Sequence, residues 1–358
     1  MVQRLSIRDR FRGVILGTAV GDALGLPAEG ISRRRAQKLF KGRWRHRLLI
    51  NRGMVSDDTD HTVMVAQSLL AHPDSVDLFT RRLSWYLRWW LLSLPAGIGF
   101  ATLRSIIRLW AGMSPSRSGV RSAGIGPAMR SAPLGAFFAF VPDQLDDYLR
   151  ASTRITHTDP RALTGAKAVA YLTAWSIREN LTERPGLEDF SNVLRSMSSQ
   201  DEEWAHLVSL ISTAYRQHHS VDQFAEALGL FNGVTGYVYH TVPVAVYAWY
   251  KHFGDFEQTL SAVLNCGGDT DTSGAIAGAL AGAVVGQQGI PIDWLEGISE
   301  WPRGPNLLKQ IADGLAEQCQ LRTARSPVRY FWPGLVLRNV FFLAVVLLHG
   351  FRRLAPPY

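Results

Sequence analysis

The chain has 358 residues, 47% of them hydrophobic and 19% charged, a balance that suits a large buried core and excludes general disorder. A formal net charge of +8 with a pI near 9.7 admits an anionic partner. Much of that excess, however, lies in the run Arg33, Arg34, Arg35, Lys38, Lys41, Arg43, Arg45 and Arg47, which reads as a solvated face, so nucleic acid is not an expected partner.

Helical periodicity dominates and strand alternation is hard to find. The pattern predicts helices over 8–25, 59–71, 76–93, 98–111, 143–154, 161–179, 203–216, 220–228, 240–251, 255–264, 272–286 and 305–318. Pro73, Pro95-Ala96-Gly97, the Ser/Gly/Pro-rich stretch 112–133 and Arg184-Pro185-Gly186 mark loops. None is long or polar enough to be a linker, so residues 1–320 read as one all-α domain and 321–358 as a C-terminal apolar helical extension. Residues 1–12 are polar and basic, without the apolar stretch of a signal peptide. Cys266 and Cys319 could form one disulfide but make no framework, and a cytoplasmic location is the simpler reading.

Two predicted helices carry glycine at every fourth position: Gly13, Gly17, Gly21 and Gly25 in one, Gly274, Gly278, Gly282 and Gly286 in the other. Residues four apart share a helix face. Each glycine costs about 1 kcal/mol relative to alanine there, so close approach of two backbones must offset it. The apolar run 275–286 is too short to span a bilayer, which leaves two central helices packed tightly in a soluble core.

Residues 331–348 are apolar and lie at the lower edge of membrane-spanning length. Arg338 would be costly in a bilayer, Pro333-Gly334 breaks the start, and the uninterrupted apolar run 340–348 is short. Docking against the body or a second subunit is therefore expected. The alternatives are a spanning helix, or one on the membrane surface with Arg352 and Arg353 facing head groups and the basic run 33–47 adding attraction. Both monomer and homodimer are compatible with this.

The chemistry concentrates at two predicted helix starts. Ser56-Asp57-Asp58-Thr59-Asp60 holds three carboxylates in four residues. Capping a helix accounts for one such residue; three repel one another and need a cation or a well-solvated site. Gly267-Gly268-Asp269-Thr270-Asp271-Thr272 repeats the pattern, its glycines letting the backbone turn sharply toward one point. Hard oxygen donors of this kind suit Mg²⁺, Mn²⁺ or Ca²⁺ and not zinc, and two clusters facing each other could hold two metals. Glu29 on the loop after the first helix, the small-residue loop Gly124-Ile125-Gly126 and His157 before another helix are weaker candidates, each explicable as loop, turn or cap.

Taken together and in order, Gly21-Asp22-Ala23-Leu24-Gly25, Ser56-Asp57-Asp58-Thr59, Ala128-Met129-Arg130, His157-Thr158-Asp159 and Gly267-Gly268-Asp269-Thr270-Asp271-Thr272 resemble the ADP-ribosylglycohydrolase family, which includes the dinitrogenase reductase-activating glycohydrolases. The resemblance implies an all-α, single compact multi-helix domain with a binuclear metal cleft. It implies two divalent cations, Mg²⁺ or Mn²⁺, on Ser56, Asp57, Asp58, Asp269, Asp271 and Thr272, with Asp58 and Asp271 in the catalytic set. Glu29 falls where relatives carry a glutamate near the metals and would be general acid or base; Ser122, Gly124 and Gly126 would hold the diphosphate, and His157 would approach the ADP-ribose. Ile125 stands where the phosphate loop commonly has Asn, and Gly97 where relatives acting on ADP-ribosyl-arginine have an acid, which puts arginine specificity in doubt.

The implied reaction is hydrolysis at the anomeric carbon of a ribose, on an ADP-ribosylated protein or a small ADP-ribose conjugate. Two other readings stand beside it: a two-metal phosphoesterase or pyrophosphatase acting on a nucleotide, and a non-catalytic ADP-ribose-binding protein.

Overall fold

The two glycine-ridged segments form the helices Ile7–Gly25 and Thr270–Val285, which lie antiparallel at the centre of the protein. Gly13, Gly17 and Gly21 face Gly282, Gly278 and Gly274, and Gly25 lies against Thr270. A Cβ on Gly17 would stand 2.2 Å from the Gly278 carbonyl oxygen, and one on Gly278 would stand 2.1 Å from that of Gly17. Backbone touches backbone, which is why no side chain fits on either ridge. The computed structural model describes residues 5–321 and 325–352. Among these, isolated β-bridges take the place of any sheet.

Around the central pair pack Asp57–Ala71, Pro160–Arg178, Val238–Lys251, Phe256–Leu264 and Pro305–Leu321. Each predicted helix is present, its ends within three residues of the expected ones. The helices Arg33–Leu39, Leu187–Arg195 and Ile292–Glu296 were not expected, nor were the short turns Pro115–Ser118, Gly126–Met129 and Ala132–Phe137. All but Leu187–Arg195 span two turns or fewer; that helix is as long as Phe256–Leu264, and its period could have been read from the sequence. No disulfide joins Cys266 and Cys319.

The basic run 33–47 is for the most part the solvated face expected, with Arg34, Lys38, Lys41, Arg43 and Arg45 exposed. Arg33 is buried, pairing with Glu226 and donating to the Leu230 carbonyl at 2.9 Å. Arg43 pairs with Glu257 and Asp293, and Arg47 lies over the Phe40 ring. Of these eight cations only Arg33 is buried, its guanidinium reaching a carboxylate and a carbonyl that distant segments present.

The C-terminal helix Pro333–Arg352 docks on the body along one face. Phe342 and Val345 pack with Leu26, Leu48 and Met54 in a small separate core. Arg338 forms a buried ion pair with Glu300 and donates to the Val55 carbonyl at 2.6 Å; Asn339 donates to the Ser93 carbonyl at 2.8 Å. Glu300 in turn accepts the Val55 N–H at 2.9 Å. The cation expected to oppose a bilayer is spent on the protein, one residue from Ser56. Arg353 lies outside the described residues.

Candidate active site

Both acidic segments begin helices whose far halves are tied into the core, so their first turns meet at a fixed place. Ser56 caps Asp57–Ala71, its hydroxyl accepting the Asp58 N–H at 3.3 Å and donating to Asp58 Oδ2 at 3.1 Å. The capping explanation holds for Ser56. It fails for Asp269, which occupies the cap position of Thr270–Val285 without capping it by its side chain. Thr272 Oγ1 crosses to Asp58 Oδ2 at 3.2 Å and so joins the two clusters directly.

The loop glycines make this meeting geometrically possible. Gly267 and Gly268 have φ of 69° and 80°, in the left-handed region. A Cβ on Gly268 would fall 2.0 Å from the Val234 carbonyl oxygen. Gly268 exchanges backbone hydrogen bonds of 2.8 Å with Gly30 and Ile31, and Asp269 donates its N–H to the Val234 carbonyl at 2.9 Å. Segments 29–31, 233–236 and 267–269 are thereby stitched into one wall.

A cleft of about 520 Å³ opens against that wall. Glu29, Asp57, Asp269, Asp271 and Thr272 line one side; Ser122, Gly124, Gly126 and His157 line the other. Ser56 and Asp58 sit just behind the acidic side. Nine of the eleven candidate site residues thus line one cavity, whose volume is in the range of small-molecule sites. Ile125 and Gly97, the two departures from the family pattern, line it as well.

Crowding and burial raise the carboxylate pKa values. For Asp57, Asp58 and Asp271 burial is the first cause, and it drives each well above the usual range. Neighbouring charge adds to it: Asp22, Asp60 and Glu29 act on Asp57, and Glu29, Asp269, Asp58 and Asp22 act on Asp271. Asp269 is also raised, again chiefly by burial. Asp58 Oδ1 and Asp271 Oδ1 are buried with no hydrogen-bond partner among the described residues. Buried polar atoms are normally satisfied, and a cation is the partner that would satisfy two adjacent carboxylates while removing their repulsion. The donor set is all oxygen, which fits Mg²⁺ or Mn²⁺. As placed, no three His, Cys, Asp or Glu groups among the described residues are arranged to hold one ion. The hydroxyls of Ser56 and Thr272, with water, would have to complete any coordination.

Two carboxylates differ from the sequence reading. Asp60 does not join the cluster: its carboxylate accepts from Trp90 Nε1 at 2.8 Å and pairs with Arg303 at 2.5 Å. Asp22 takes its place near the cluster. Its carboxylate accepts the Ser56 N–H at 2.9 Å and the Thr59 N–H and hydroxyl at 3.2 and 2.5 Å, and burial raises its pKa to about 7. In the sequence the signal for Asp22 is an acid inside an apolar, glycine-ridged helix. Val234, Thr235 and Gly236, also at the cleft, carry no local signal.

On the opposite side His157 is buried and kept neutral, its pKa lowered to about 3 first by desolvation and then by Arg130. The ring underlies the glycine loop: a Cβ on Gly124 would meet Nε2 at 3.0 Å, and one on Gly126 would meet Cε1 at 3.0 Å. Arg130 donates to Thr156 Oγ1 at 2.7 Å, and that hydroxyl lies 2.9 Å from His157 Nδ1. With the Thr156 proton directed to Nδ1, the ring carries its own on Nε2, facing Gly124. Ser122 Oγ accepts the Gly124 N–H at 3.2 Å, so that amide is engaged within its own turn.

Over residues 3–325 the chain matches the ADP-ribosylglycohydrolase family. It is 34% identical over 320 residues to an uncharacterised protein of Archaeoglobus fulgidus, covering 87% of this chain and 97% of that one. The ADP-ribosyl-(dinitrogen reductase) glycohydrolase of Rhodospirillum rubrum is 30% identical over 300 residues, covering 81% and 90%. The human ADP-ribosylhydrolase ARH3 is 27% identical over 330 residues, covering 80% and 88%. Among solved structures, an ADP-ribosylglycohydrolase-related protein complex superposes with a TM-score of 0.60 at 26% identity, covering 87% of this chain and 99% of that one. All five sequence motifs fall inside the matched residues, and the chain belongs to the ADP-ribosylglycohydrolase family of hydrolases.

Proposed function

We propose that this protein uses two divalent cations, Mg²⁺ or Mn²⁺, to hydrolyse the glycosidic bond between ADP-ribose and an acceptor, either a protein side chain or a small molecule. The observation that carries the reading is the meeting of two acidic helix starts at one wall of the cleft, with Asp58 Oδ1 and Asp271 Oδ1 without hydrogen-bond partners among the described residues. Ser56, Asp57, Asp58, Asp269, Asp271 and Thr272 would hold the cations, which supply charge neutralisation and activation of water when bound. The names of the Rhodospirillum and ARH3 relatives support ADP-ribosyl linkages as the substrate class.

The chain's own residues divide the work by position. His157, neutral, borders the cleft beside the glycine loop without placing a full charge next to the ligand. The Ser122–Gly126 loop, whose Gly124 and Gly126 lack the Cβ atoms that would meet the His157 ring, borders the cleft where a diphosphate would lie. Holding the diphosphate orients the ribose toward the acidic wall, a positioning effect. Glu29, exposed at the cleft edge, can reach a departing acceptor atom or an attacking water and exchange its proton there. Carboxylates lining the wall favour the positive charge that develops at the anomeric carbon.

Incubating the protein with a panel of ADP-ribosylated substrates in Mg²⁺, Mn²⁺ or EDTA tests this. Free ADP-ribose, lost in EDTA, is the expected product. AMP with ribose phosphate would mean diphosphate cleavage and overturn the glycosidic reading; tight ADP-ribose binding without turnover on any substrate would make the chain a binder.

Glu29→Gln separates acid–base chemistry from binding. It should lower kcat by about 10²-fold or more, a typical general acid–base contribution, while affinity for ADP-ribose is largely kept. Preserved kcat with weakened binding would instead make Glu29 a gate at the cleft edge.

A further inference from the structure

The docked C-terminal helix is built inside out. Its polar residues Arg338 and Asn339 point into the protein, where they bond Glu300, Val55 and Ser93. Its opposite face is apolar and open, with Leu337 68%, Leu348 69% and Phe351 67% exposed and Val340, Phe341 and Leu347 each more than half exposed. A soluble surface rarely keeps so continuous an apolar stripe without a partner.

Both ends of the stripe suggest what that partner is. At the start of the helix, Trp332 meets Trp89 edge-on at 5.5 Å, and Trp89 contacts Trp85 and Trp110 at 5.9 and 6.4 Å. Trp85, Trp89 and Trp110 are each at least one-third exposed. Tryptophan clusters of this kind favour the boundary between head groups and acyl chains. At the other end, Leu348 and Arg352 border a groove of about 850 Å³ that runs to Arg45, Arg47 and Ile50, so basic side chains rim an apolar floor. Charge complementarity then selects against a second copy of a chain whose net charge is +8 and toward an anionic surface.

We propose that this face attaches the protein to a bilayer containing anionic lipid, with the helix lying in the plane of the head groups. Leucine and phenylalanine side chains enter the acyl boundary, the tryptophans anchor one end, and Arg45 and Arg352 meet lipid phosphates at the other. The helix keeps its buried polar face on the body, so it lies on the membrane without crossing it. The assignment is independent of the reaction at the cleft.

Co-sedimentation of the full chain with phosphatidylcholine vesicles, with and without phosphatidylglycerol, tests the proposal. Binding should require phosphatidylglycerol and fall with added salt. The variant L337E/F341E/L348E changes only outward residues, and its helical spectrum and melting temperature report whether it folds. It should bind about tenfold less or weaker still, since apolar insertion and anionic attraction act together, and R45E/R352E should also weaken binding. Three results would each overturn the proposal: no binding to either vesicle; a dimer by light scattering that the triple variant converts to monomer while vesicle binding is absent; or resistance to alkaline carbonate extraction, which would make the helix a spanning one.

Discussion

Asp57→Ala and Asp271→Ala are each expected to abolish ADP-ribose release and to weaken divalent-ion binding, with the helical spectrum unchanged. Asp57 and Asp271 come to the same wall of the cleft from different helix starts, so each variant removes a donor carried by a different helix. In EDTA, either variant should be at least as stable as wild type, because it relieves repulsion among carboxylates whose pKa values are already driven upward. With Mn²⁺ the order should reverse, since a ligand bound only to the folded state at about 100 times its Kd adds roughly 2.7 kcal/mol. The pH sign follows from Asp22, whose pKa of about 7 in the folded state lies above its ordinary 3.8. Between those values the folded protein holds a proton the unfolded chain lacks, so stability in EDTA falls as pH rises through this window and levels off above it. Thermal melts from pH 5 to 8, with and without Mn²⁺, measure all of this. Near wild-type turnover by both variants in EDTA would end the two-metal reading.

Most of the fold was legible because the helices are long enough to show their period, and because glycine every fourth residue has few uses in a soluble chain. The register of the two ridges could be guessed only as a pairing; that Gly17 meets Gly278 and Gly21 meets Gly274 is a tertiary fact. Site residues were legible where they cluster locally, as at Ser56 to Asp58 and Asp269 to Thr272. They were not where the function depends on distance. Asp22 bonds groups 34 and 37 residues away, and Val234 joins the wall only through the Gly267 and Asp269 backbones. Asp60 misled for the same reason in reverse: its local neighbours are acidic, but its partner Arg303 comes from a distant loop. Proximity in sequence identified the acids; only the packing decided which of them face the cleft.

That packing makes the second large effect a prediction about alanine. Gly17→Ala and Gly278→Ala should each destabilise the protein by about 3 kcal/mol, the upper part of the usual range for overpacking a close contact. The new methyl would sit 2.2 Å or 2.1 Å from a backbone carbonyl oxygen, which no rotamer can avoid. Better helix propensity recovers only about 1 kcal/mol of that cost. Gly350→Ala is the control: it lies in the helix Pro333–Arg352 with nothing within 4 Å of the added Cβ, so there the propensity gain should appear alone and the melting temperature hold or rise. The ridge variants carry a second consequence for the site. Thr270–Val285 begins at the turn bearing Asp269 and Asp271, and Thr270 Oγ1 ties it to the Gly25 carbonyl at 2.8 Å. Pushing the two helices apart moves Asp271 away from Asp57, so folded Gly278→Ala protein should also bind divalent cations more weakly and turn over more slowly. Melting curves and Mn²⁺ titrations of the three variants decide it: a Gly278→Ala protein as stable and as tight for Mn²⁺ as wild type would mean that the close approach of these helices does not hold the site in place.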